Sequence, residues 1–115
     1  MPWRPLPALR YALRGLRFML AERNARVLLA ASVVALAAAF WLRVGALEWC
    51  AVVVALALVW IAEALNTAVE RLTDLVSPGF HPLAGQAKDV GAAAVFLALV
   101  AAVSIGLIVF GARLF

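Results

Sequence analysis

A chain of 115 residues that is 68% hydrophobic and 14% charged, with one cysteine and a formal charge of +4, is far more apolar than a soluble domain, for which roughly 45–50% is usual. With a mean hydropathy of +1.08 a membrane protein is expected, and composition and length together exclude a soluble enzyme with its own aqueous core. Cys50 alone supplies no disulfide, CxxC or zinc spacing; in its apolar run it is read as packing.

Arg4, Arg10, Arg14, Arg17, Arg23 and Arg26 all precede the first apolar segment. A basic flank beside a span predicts a cytoplasmic N-terminus, a better account of these residues than nucleic-acid binding. Leu9, Leu13, Leu16 and Leu20 recur at helical spacing with Arg10, Arg14 and Arg17 in a neighbouring stripe. About residues 7–21 are therefore expected to form an amphipathic helix on an anionic leaflet, while Pro2, Pro5 and Pro7 keep the opening irregular.

Three transmembrane helices follow, at about 27–42, 49–75 and 86–112. The first is short, between Arg26 and Arg43, and reaches across if its arginines snorkel. Gly45 centres the next turn, and Trp41 and Trp49 bracket it as an interfacial aromatic pair. Loop 43–48 and the C-terminus then lie outside, and loop 76–88 inside. Ala87, Gly91, Ala94, Ala98 and Ala101 share one face of the third span, which permits close helix packing and suggests a homo-oligomer. The fold class is thus all-α membrane protein, one domain over residues 1–115.

The second helix carries most of the chemistry. Twenty-seven residues from Trp49 to Leu75 would reach roughly 40 Å, more than a hydrocarbon core of roughly 30 Å. Glu63 then lies about 21 Å from Trp49, Glu70 about 31 Å and Asp74 about 38 Å, descending from acyl depth to headgroup level. At 100° per residue, Glu63, Asn66, Glu70 and Asp74 share a sector of roughly 80°. Thr67 borders it, and Arg71 points about 100° away from Glu70, poorly placed to neutralise it. Aligned acids in a low dielectric repel one another unless a cation joins them.

Glu22 precedes the first span at the same cytoplasmic level. Two carboxylates from different helices, completed by phosphate oxygens and water, are a usual way to hold Mg²⁺, and Glu22 with Glu70 suits it. Lys88, the one lysine in the chain, sits in "AKD" at the expected start of the last helix, where it can meet a phosphate or a carboxylate of the stripe. Asp89 can cap that helix or contact the cation. His81, between Phe80 and Pro82, is read as structural. There is no GxxxxGK[ST], HRD, DFG or HExxH motif and no Ser–His–acid set.

"ERNAR", "EALNTAVERLTDLVSPGFHPLAGQAKD" and "GAAAVFLA" closely resemble the small integral-membrane diacylglycerol kinases of bacteria, a family that includes the undecaprenol kinases. The resemblance covers the chain from about Tyr11. It implies a homotrimer of three-span subunits with shared active sites in the bacterial cytoplasmic (inner) membrane, transferring the γ-phosphate of MgATP to the hydroxyl of a membrane lipid alcohol, diacylglycerol or undecaprenol. Residue by residue, Glu63 looks like the general base and Glu22 and Glu70 look like Mg²⁺ ligands. Asn66, Asp74, Lys88, Asp89 and Arg26 fall at positions similar to those used around nucleotide and phosphate. The interval from Gly15 to Glu22 is one residue shorter than the family pattern, and Phe80 stands where tyrosine is frequent. A reading from a different class is a small oligomeric transporter or proton-conducting protein using Glu63.

Overall fold

The computed structural model describes residues 5–115, with side chains from Pro7 onward, so Pro2 and Arg4 lie outside the described residues. Four helices make up the described residues: α1 (Pro5–Leu20), α2 (Arg23–Trp41), α3 (Ala46–Val76) and α4 (Pro82–Leu114). The last three are long and apolar enough to cross a membrane.

Every helix begins earlier than the apolar pattern implied. α1 is already helical at Pro5, the first described residue, so Pro5 and Pro7 do not keep this segment irregular; prolines cost a helix least near its start. α2 takes in Arg23 and Arg26 and has 19 residues, about 28 Å, so the span expected at 27–42 is not short. α3 and α4 have 31 and 33 residues, about 46 and 50 Å, and extend beyond any hydrocarbon layer they cross.

The α2–α3 turn is built on Arg43, not on Gly45. Arg43 has φ 55, the left-handed conformation that often ends a helix, and the Val44 N–H returns to Ala39 O at 3.3 Å. Gly45 has an ordinary extended φ of −73 and caps α3, where its N–H donates to Glu48 Oε1 at 3.0 Å. Arg113 near the end of α4 donates from Nε and Nη2 to the same Glu48 carboxylate. That capped end holds the core: Ala39, Val44, Val52 and Val109, with Trp49, Ile105 and Phe110 packed on it. Trp41 of the expected pair points outward, whereas Trp49 joins the core. Cys50 is exposed and does not pack within the chain.

α3 and α4 form a closely packed antiparallel hairpin, and α2 leans on α3. The small-residue face of α4 is used inside the chain: Gly91 lies against Asn66 and Val69 of α3. At Gly91, the close packing that this stripe permits is between α4 and α3 of one chain. Val90, Phe96, Leu97, Val103 and Leu107 elsewhere on α4 remain exposed.

Candidate active site

Two cross-links set the level of α2 against α3. Trp60 Nε1 donates to Ser32 Oγ at 2.9 Å, and Ser32 Oγ donates on to Leu28 O at 2.8 Å. Further along, Arg71 Nη2 meets Glu22 Oε1 at 3.2 Å. The links are 11 residues apart on α3 and 10 on α2, about 16 and 15 Å, so the helices run antiparallel with little slip. Glu22 therefore stands level with Glu70, and Glu63 lies deeper, one turn from Trp60.

Glu63 is 8% exposed, the most buried acid among the described residues. Its setting is an apolar cleft of about 380 Å³ between α2, α3 and α4, lined by Asn24, Val27, Leu28, Val59, Val95 and Leu99 besides Glu63. Thr67 Oγ1 donates to Glu63 O at 2.9 Å, which satisfies the threonine hydroxyl and leaves the Glu63 carboxylate to the cleft. Burial without a protein partner is costly for a carboxylate, and such groups in membrane helices mark functional positions.

One turn on, Asn66 Nδ2 donates to Glu70 Oε1 at 3.2 Å, while Asn66 Oδ1 is buried without a hydrogen-bond partner. A Cβ on Gly91 would overlap that oxygen; only a glycine lets α4 approach here. At the next level Lys88 Nζ lies 2.7 Å from Asp74 Oδ1, so the lysine meets a carboxylate of the stripe. Glu63, Asn66, Glu70 and Asp74 thus follow one face of α3, and Lys88 joins them from α4. Asp89 and Arg26 are exposed and form no ion pair among the described residues.

Two sequence readings, the placing of Lys88 at a helix start and Asp89 as its cap, need correction. α4 begins at Pro82, with His81 as N-cap whose Nδ1 accepts from the Leu83 N–H at 3.1 Å. Lys88 and Asp89 are therefore the seventh and eighth residues of α4, about two turns from its N-terminus, and Asp89 does not cap it. The structural reading of His81 acquires a definite role as that cap. Arg71, which helical spacing turns away from Glu70, pairs instead with Glu22; no pattern within one helix reveals a partner 49 positions away.

Glu22 and Glu70 fit a hard divalent cation by donor chemistry and level. Each has one oxygen engaged by a side-chain donor, Arg71 or Asn66, and a second without such a donor among the described residues. No group of three metal-ligating side chains occurs there, so other oxygens, from phosphate or water, would have to complete an octahedral shell.

Comparison with known proteins identifies the family. The sequence profile described as prokaryotic diacylglycerol kinase matches residues 10–110. The diacylglycerol kinase of Escherichia coli K12 is 40% identical over 73 residues, 64% of this chain and 60% of that protein. That of Pseudomonas aeruginosa is 40% identical over 97 residues, 84% of this chain and 79% of that protein. The undecaprenol kinase of Bacillus subtilis is 36% identical over 89 residues, 77% of this chain and 72% of that protein. The chain belongs to the prokaryotic diacylglycerol kinase family and is an all-helical membrane protein. Its match spans 60% of the length of the Escherichia coli relative.

Proposed function

We propose that this chain is a lipid kinase that moves the γ-phosphoryl group of ATP onto the hydroxyl of a membrane lipid alcohol, diacylglycerol or undecaprenol. The observation that carries the reading is the placing of buried Glu63 in an apolar cleft, one end of a polar stripe whose other end is exposed. A lipid hydroxyl and a water-soluble nucleotide can meet only along such a gradient. Relatives named for each acceptor, diacylglycerol kinase and undecaprenol kinase, support the reaction class.

In this mechanism the acceptor's tail lies in the cleft with its hydroxyl beside Glu63. The Glu63 carboxylate takes the hydroxyl proton as the acceptor oxygen bonds to the γ-phosphorus; the bond from that phosphorus to the β–γ bridging oxygen breaks, and ADP leaves. Glu22 and Glu70 would hold Mg²⁺. What Mg²⁺ supplies when bound is positive charge against the phosphate oxygens. Asn66 orients Glu70, and Asp74 holds Lys88 toward the phosphates. Arg26 and Asp89, both exposed, contribute contacts to the nucleotide. Catalysis is then mainly positioning and charge neutralisation.

The assembly is a homotrimer with sites shared between neighbouring copies, in the cytoplasmic membrane of a bacterium with the N-terminus on the cytoplasmic side. Support comes from the family resemblance, the basic flank before α2, and the apolar faces that one copy leaves exposed. A transporter using Glu63 would leave Glu22, Glu70 and Lys88 without work.

The test is phosphate transfer from labelled ATP in mixed micelles, with diacylglycerol and undecaprenol offered separately and Glu63→Gln as the blank. Transfer to one acceptor assigns the substrate; no transfer above the blank to either sinks this reading. Protection of the solubilised protein against heat by MgATP supports a nucleotide site independently of turnover.

A further inference from the structure

Arg71 is the sole basic residue of α3, and its guanidinium reaches two places at once. Its Nη2 is 3.2 Å from Glu22 Oε1 at the α1–α2 junction, and its Cζ stands 5.7 Å from the centre of the Phe18 ring in α1. Asp74, the next acid along α3, is already paired with Lys88. Beneath this bridge α1 and α3 face each other across an open cleft of about 470 Å³, lined by Gly15, Phe18, Met19, Thr67, Ala68 and Arg71 among others, with Met19 buried at its base. Among the described residues, Arg71 supplies the polar contacts between α3 and the end of α1.

Resting on the reading of Glu22 as a cation ligand, we propose that Arg71 is the resident counter-cation of Glu22, that a divalent cation displaces it, and that displacement loosens α1 from α3. Both partners of the pair are half exposed, and exposed pairs of this kind are weak. A divalent ion shared by Glu22 and Glu70 attracts the carboxylate with twice the charge and leaves the guanidinium without its partner. Of the Arg71 contacts only the stacking on Phe18 then remains between α3 and α1, and a cation–π contact at an exposed site is also weak.

Mn²⁺ is the probe, with the full chain in detergent micelles and free Mn²⁺ read by electron paramagnetic resonance. Arg71→Met keeps an unbranched stem and removes the charge; it should bind Mn²⁺ more tightly than wild type, by up to about fivefold, and Arg71→Lys should stay near wild type. A second arm needs no substitution: tryptic cleavage within α1, at Arg14 or Arg17, should accelerate in the wild type as Mn²⁺ saturates. Equal or weaker Mn²⁺ binding by Arg71→Met, or cleavage indifferent to Mn²⁺, overturns the proposal. Glu22→Gln separates the two levels. If it binds Mn²⁺ like wild type, the ligand assignment itself fails; if it loses Mn²⁺ while Arg71→Met matches wild type, only the competition fails.

Discussion

Asn66 lies against the bare backbone of Gly91, its Oδ1 buried where a methyl group on that glycine would overlap it. The contact joins α3 to α4 at the centre of the polar stripe, and the same side chain donates to Glu70 at 3.2 Å. Gly91→Ala should therefore displace Asn66 and cost about 1–3 kcal/mol through overpacking. Thermal unfolding in detergent reads the cost and phosphate transfer reads the displacement. Unchanged values for both would show that Asn66 is held by something other than this approach.

Glu63 is assigned proton removal, so Glu63→Gln should lower kcat by about 10²–10⁴-fold. Size-exclusion profile and melting midpoint should stay at wild-type values, since the amide is isosteric and fits the same cleft. Substantial turnover by this variant would remove Glu63 as the base.

Glu22→Gln and Glu70→Gln should each raise the Mg²⁺ concentration for half-maximal transfer by at least about tenfold. A titration at fixed ATP measures this. Identical Mg²⁺ curves for both variants and the wild type would refute the assignment of the pair.

Removing the hydroxyl of Ser32 leaves the Trp60 indole N–H without a partner inside the apolar layer. Ser32→Ala should cost about 1 kcal/mol, the usual scale for a hydrogen bond between membrane helices. Ser32→Thr, which keeps the donor and acceptor, should recover most of it. The comparison is read from unfolding midpoints in one detergent.

At the far end of the bundle, Glu48 caps Gly45 and receives Arg113. Glu48→Gln should lower the unfolding midpoint, and the difference from wild type should shrink in high salt because the lost attraction is electrostatic. Transfer per folded molecule should be unaffected, the pair being on the other side of the core from Glu63. A loss of kcat without a loss of stability would contradict that separation.

The features legible in the amino-acid order are local ones. Apolar runs specify helices, and a fixed turn per residue places Glu63, Asn66, Glu70 and Asp74 on one face whatever surrounds them. Family membership was legible for the same reason, since its motifs lie within short stretches of chain. Helix starts were missed because prolines and arginines in a first turn look like breaks or flanks in a hydropathy reading, although the turn tolerates both. Relations between helices depend on the tertiary structure: the partner of Arg71, the use of Gly91 by α3 and the exposure of Cys50. Each depends on how far one helix slides and rotates against another, which side-chain packing across the whole bundle sets and no single helix encodes.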